Sequence, residues 1–142
     1  MPAPILVAIG VSAIGRVGDA YAQNQKLLPD YYAAIDAGRL PIQRGIRLND
    51  DDRVRAAVIQ ELMCHESVDI DAIGQRFGID FKRYFSREIE HLQELQADGL
   101  TCVDGNRIGI TDRGRLLMRN VAMTFDAYIA QPTAATTFSQ AI

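Results

Sequence analysis

The sequence predicts a mainly α-helical protein with a β-hairpin near its end and a lone apolar strand at its start. Three observations carry this. The stretch Asp98–Asp126 places two short apolar runs around the turn residues Asp104-Gly105-Asn106 and feeds directly into helical spacing. Upstream of it, helix-period patterns fill most of the interval from Asn49 to Ala97. At the other end, Ile5–Ile14 is an almost unbroken apolar run.

Ile5–Ile14 suits a parallel strand buried on both faces, in which Gly10, Ser12 and Ala13 admit close approach by a ligand or another backbone. A short buried helix is the alternative reading of such a run. Gly15-Arg16-Val17-Gly18-Asp19 reads as a turn and Tyr21–Gln25 as polar loop. No neighbouring strand follows, so the first run stands as an orphan. Pro29 and Asp30 open a helix through Tyr31, Tyr32, Ile35 and Asp36, closed by Gly38 and Pro41. Pro41–Leu48 reads as an extended linker.

Asn49 is placed to cap the next helix, with Asp50, Asp51 and Asp52 in its first turn and Val54, Val58 and Leu62 on its inner face. Cys64 then falls in the core and His65 marks the end. Asp69 caps a second helix over Ile70–Phe77, which Gly78 stops. A third runs from Phe81 to Ala97 and buries Phe85, Ile89, Leu92 and Leu95. In the closing stretch, Leu100–Val103 and Ile108–Ile110 form the hairpin, and Thr111 is the N-cap of a final helix. Leu117, Val121, Phe125 and Tyr128 share one face of that helix. Helix, helix, helix, hairpin, helix over residues 49–130 is the pattern of a winged-helix-like domain. Its predicted core is Leu62, Phe85, Leu92, Leu116, Leu117 and Val121. Residues 1–25 hold the strand and its loop, 26–48 a helix and linker, and 131–142 a loose tail that Phe138 and Ile142 could pin to a partner.

The composition limits the function. The chain has 142 residues, 48% hydrophobic and 23% charged, with a net charge of −3. That balance offers no basic excess for nucleic acid. The third helix carries Lys82, Arg83 and Arg87 against Glu88, Glu90, Glu94 and Asp98, a surface that repels phosphates. The apolar run at the start is too short to span a bilayer and lacks a positively charged flank, which points to a cytoplasmic protein. Cys64 and Cys102 lack the spacing of a zinc or iron–sulfur site. Cys64 and His65, adjacent on a helix, point about 100° apart and do not converge on one ion. His91 reads as a solvated helix residue. Arg16, Arg44 and Arg47 are each able to grip a carboxylate in bidentate fashion, or to form ion pairs between domains.

The residues also carry a family likeness. GVSAIGRVGDAYAQNQK, YYAAIDAG, RGIRL, DGL, TDRGRLLMRNVAMTFD and the closing FSQAI, in order from Leu6 to Ile142, closely resemble the C-terminal portion of oxygen-independent coproporphyrinogen III oxidase. The resemblance implies a preceding radical S-adenosylmethionine barrel with a [4Fe-4S] cluster on a C-x-x-x-C-x-x-C-type motif. It implies two bound S-adenosylmethionine molecules and the oxidative decarboxylation of two propionates of coproporphyrinogen III to vinyl groups in heme synthesis. On this view Ile5–Ala13 is the last strand of the barrel, and Ile14, ending the G-V-S-A-I segment, contacts the second S-adenosylmethionine. The family has Gly where Ala8 stands and an acidic residue near Ile5. The cluster cysteines do not occur in this chain, so the resemblance implies a truncated or split form of such an enzyme, or its C-terminal part, inactive without a barrel.

Overall fold

Residues 5–129 are described here from a computed structural model. The chain divides into two compact units, one ending at Arg53 and the other starting at Val54.

The N-terminal unit is built on a four-stranded antiparallel sheet. Its strands are β1 (Ile5–Leu6), β2 (Ile14–Val17), β3 (Ala20–Asn24) and β4 (Ile42–Arg47), side by side in chain order. The expectation of one parallel strand over Ile5–Ile14 does not hold. Ile5 and Leu6 at its start pair antiparallel to Val17 and Arg16, Ile14 at its end pairs antiparallel to Gln23, and all three side chains are exposed. Gly10 and Ser12 both have positive φ, 95° and 57°, and turn the run back on itself. The presumed loop Tyr21–Gln25 is instead strand β3, and the presumed linker is strand β4. Gly18, with φ 58° at the first central position of a two-residue turn, makes the tight reversal between Val17 and Ala20 possible.

Helix α1 (Leu28–Asp36) forms where Pro29 and Asp30 predicted it, and Gly38 ends it with φ 67°. The buried Asn24 side chain ties the unit together by donating to the carbonyls of Gly10 at 2.9 Å and Ala8 at 3.5 Å. The Tyr31 hydroxyl accepts from the Gly10 amide at 3.2 Å.

Helix α2 (Asp50–His65) starts on a reciprocal cap. The Asn49 side chain accepts from the Asp52 amide at 2.8 Å, and the Asp52 carboxylate accepts from the Asn49 amide at 2.9 Å. Arg53 bridges the first turn to the β2–β3 hairpin, pairing with Asp50 and, at 2.9 Å, with Asp19. The Asp50 hydrogen bond, with the nearby Asp19 charge, raises the Arg53 guanidinium above its ordinary pKa.

The C-terminal unit holds the core. Val54, Ala57, Val58 and Leu62 of α2 pack with Val68, Ile70, Ile73, Phe81, Phe85, Leu92, Ile108, Val121 and Phe125. Three aromatic rings lie at its centre: Phe85 is 4.8 Å from Phe81 and 5.2 Å, edge-on, from Phe125. Arg55 and Glu88 pair at 2.8 Å with side chains only 17% and 16% exposed, and Arg55 also donates to the Phe125 carbonyl. The order is α2, β5 (Ser67–Asp69), α3 (Ile70–Phe77), α4 (Phe81–Tyr84), α5 (Ser86–Ala97), β6 (Thr101–Asp104), β7 (Arg107–Ile110), a 3₁₀ turn (Gly114–Leu117) and α6 (Met118–Met123). The hairpin β6–β7 turns at Gly105 as its sequence predicted, and β5 adds a third strand on the β7 edge, opposing Val68 to Ile108.

Two helices differ from expectation. The third predicted helix bends at Phe85 (φ −104°, ψ 33°), whose ring sits among Phe81, Tyr84 and Phe125. The last one begins, as predicted, under Thr111, whose hydroxyl accepts from the Gly114 amide at 3.0 Å. It then runs as a 3₁₀ turn in which Gly114 lies so close to the Leu100 carbonyl that a side chain would clash there, and Leu117 (φ −119°, ψ 21°) breaks the winding before α6. The break at Leu117 puts the 3₁₀ turn out of phase with the buried face of α6. Leu116 is consequently 90% exposed and Leu117 44% exposed, not core. Tyr128 is also exposed, whereas Leu62, Phe85, Leu92 and Val121 are fully buried as predicted. The predicted loose tail, 131–142, lies outside the described residues.

Candidate functional site

Strand pairing in the N-terminal sheet sorts its side chains into two faces, because successive residues alternate and paired residues share a side. Ile14 stands opposite Gln23, and Gln23 opposite Arg44. In the next row on the same side come Arg16, Tyr21 and Ile46. The intervening row, on the other face, is Gly15, Ala22 and Gly45, followed by Val17, Ala20 and Arg47. The three arginines singled out in the sequence are thus divided. Arg16 and Arg44 share a face with Ile14, and Arg47 does not.

A shallow cavity of about 350 Å³ lies on the Ile14 face, lined by Ile14, Tyr21, Gln23, Arg44 and Ile46 with the backbone of Ala22 and Gly45. Ile14 is 55% exposed there. The Arg44 Nε donates to the Gln23 Oε1 at 2.8 Å, and the Arg16 Nε donates to the Gly18 carbonyl at 2.9 Å. The Arg16 guanidinium stands 5.1 Å from the centre of the Tyr21 ring. An apolar floor with fixed cationic groups beside it suits a ligand that is flat, apolar and anionic.

Tyr21, Gln23 and Ile46 were missed in the sequence, since their segments read as loop and linker. The signal was present as a period of two: large side chains at Tyr21 and Gln23 alternate with Ala20, Ala22 and Asn24, and Arg44 and Ile46 flank Gly45.

The residues do not fit an iron–sulfur cluster. Among the described residues no group of three or more His, Cys, Asp or Glu side chains converges as metal ligands would. Cys64, contrary to the expectation of a core position, is exposed on α2, and Cys102 is exposed on β6. His91 lies on the surface of α5, 3.1 Å from Glu94. No helix among the described residues is long and apolar enough to cross a membrane.

Comparison with known proteins agrees with this architecture. Residues 48–117 match the family described as the HemN C-terminal domain. The chain is 48% identical over 124 residues to the oxygen-independent coproporphyrinogen III oxidase of Pseudomonas aeruginosa, covering 87% of this chain and 27% of that protein. It is 41% identical over 143 residues to the protein of that name from Thermostichus vulcanus, covering all of this chain and 44% of the relative. A solved structure of the Escherichia coli coproporphyrinogen III oxidase (HemN), described as a radical SAM enzyme, superimposes with a TM-score of 0.82 at 44% identity, covering 87% of this chain and 29% of that one. Residues 48–117 thus carry the HemN C-terminal domain, and the chain as a whole is similar to part of the oxygen-independent coproporphyrinogen III oxidases. It spans less than half the length of these relatives.

Proposed function

We propose that this chain supplies the C-terminal part of an oxygen-independent coproporphyrinogen III oxidase, which converts coproporphyrinogen III to protoporphyrinogen IX in the cytoplasm. On this reading the catalytic centre is completed by a radical S-adenosylmethionine barrel, present in the same polypeptide or as a split partner. S-adenosylmethionine and the cluster, when bound, supply the radical chemistry. The cluster ligands belong to the barrel, and this chain contributes a wall of the site. The observation that carries the reading is the N-terminal unit itself: Ile5, Leu6, Val7, Ile9 and Ile14 are all exposed, as side chains are when their cover belongs to another body.

Ile14 is then the residue of this chain that meets the second S-adenosylmethionine, its side chain packing against the adenine or the sulfonium methylene. What supports it is its place in the lining of the cavity, where its side chain is exposed. Residues 1–25 would join the barrel end, and residues 49–130 would act as a winged-helix-like support. Their separate hydrophobic core also favours a second reading, a free-standing winged-helix interaction module without catalysis or nucleic acid binding. Mixing the chain anaerobically with a reconstituted barrel fragment and assaying decarboxylation separates the two. Activity that requires both parts supports the enzyme reading, and none above the barrel alone supports the module.

A further inference from the structure

We infer that Arg16 and Arg44 receive two different carboxylates of one flat, apolar polycarboxylate lying on the Ile14 face, namely propionates of the tetrapyrrole substrate. The inference rests on the proposed function and adds to it the groups that orient the substrate.

Neither arginine has a carboxylate partner among the described residues, in contrast to Arg53, Arg55 and Arg115, each paired with an acid. The four strands of the sheet contain Arg16, Arg44 and Arg47 and no Asp or Glu. Two unneutralised guanidiniums therefore stand over a sheet face that offers no anion of its own. Each is held by its Nε, Arg44 on Gln23 and Arg16 on Gly18. That leaves the terminal N–H groups for a carboxylate, with less rotamer freedom to lose on binding.

Spacing decides what kind of anion fits. β2 and β4 are separated by β3, so the two arginines arise two strand spacings apart, about 10 Å. They are also offset by one same-face row, with Tyr21 and Gln23 between them. One carboxylate does not reach across that interval to both forks. S-adenosylmethionine carries a single carboxylate, whereas a tetrapyrrole with four propionates presents several around a flat apolar ring. Tyr21 and Ile46 supply the matching floor, beside the Ile14 position assigned to S-adenosylmethionine.

The test titrates the chain into coproporphyrin III, a stable tetracarboxylate with the same side chains, and follows porphyrin fluorescence anisotropy. Saturable binding is expected. Arg16→Gln and Arg44→Gln should each weaken it roughly tenfold, the scale of one charge-assisted pair. Arg44→Lys should weaken it less than Arg44→Gln, and Arg47→Gln, on the opposite face, should leave it within about twofold. Excess S-adenosylmethionine should not displace the porphyrin. No binding by the unaltered chain, an equal loss in Arg47→Gln, or displacement by S-adenosylmethionine overturns the inference. The barrel-complementation assay answers separately. Full activity with both arginines replaced would end this inference and leave the enzyme reading intact. Arginine-dependent porphyrin binding without complementation would do the reverse.

Discussion

The two units distribute their apolar residues in opposite ways. The C-terminal unit closes thirteen hydrophobic side chains into one cluster, with Phe85, Phe125, Leu62 and Leu92 fully buried. Among the described residues before Val54, Ala34 and Pro41 are the buried apolar positions, while Ile5, Leu6, Val7, Ile9, Val17 and Leu40 are open to solvent. Burial of apolar surface is the main favourable term in folding, at about 25 cal/mol per Å². One unit draws on it fully. The other is held by its sheet ladder, the Asn24 clamp and the Arg53 bridges, and leaves its large apolar side chains exposed.

The sharpest way to break this contrast is at the aromatic centre of the C-terminal unit. Phe85→Ala should cost about 3–5 kcal/mol, the range for deleting a buried phenylalanine. Denaturant unfolding followed by circular dichroism measures it. A loss under 1 kcal/mol would mean that the cluster does not carry the unit. Next in size is Gly114→Ala. Its methyl would clash with the Leu100 backbone oxygen, so the chain must shift at a cost of about 1–3 kcal/mol. A neutral result would show that the turn is looser than the close approach requires.

How legible each unit was follows from the same contrast. In the C-terminal unit, local signals and tertiary packing agree: Asp69 and Thr111 cap helices, Gly78 and Gly105 sit at positive φ, and the four-residue spacing of Val54, Val58 and Leu62 faces the core. It misled where the 3₁₀ turn and the break at Leu117 outranked periodicity and left Leu116 and Leu117 exposed. Strand β5 is three residues long and has no pattern to read. In the N-terminal unit the apolar density of Ile5–Ile14 argued for burial that the described residues do not provide. The alternation in β3 and β4 was hidden by its small and polar members. Of the site, Ile14 and the arginines were named in the sequence, but which arginines share its face depends on strand register, which no local pattern supplies.

Asn24→Ala probes whether the units are independent. The side chain is buried and holds the Ala8–Gly10 carbonyls, so its loss should cost the N-terminal unit about 1–2 kcal/mol. Amide exchange at Ser12 and at position 24, whose N–H groups donate to the carbonyls of Gln25 and Ala13, should accelerate roughly tenfold, while exchange at Val68 and Ile108 stays unchanged. Equal acceleration in both sets would refute the division into two units.

The smallest effects are expected at Leu117 and Leu116, although the helical pattern argues for a core residue worth about 2–5 kcal/mol at Leu117. The side chain is 44% exposed, so truncation removes only about half the transfer energy of a buried leucine. Solvent reaches the vacated space, and no closed cavity adds to the cost. Leu117 also lies at the junction of the 3₁₀ turn and α6, with φ −119° and ψ 21°, where helix propensity has little weight. Leu117→Ala should therefore cost about 1 kcal/mol or less, and Leu116→Ala, on a side chain almost wholly in water, less than about 0.5 kcal/mol. Thermal unfolding of both variants beside Phe85→Ala supplies the measurement. A cost above 2 kcal/mol at Leu117 would restore the uninterrupted helix and with it the phase that the break at Leu117 excludes.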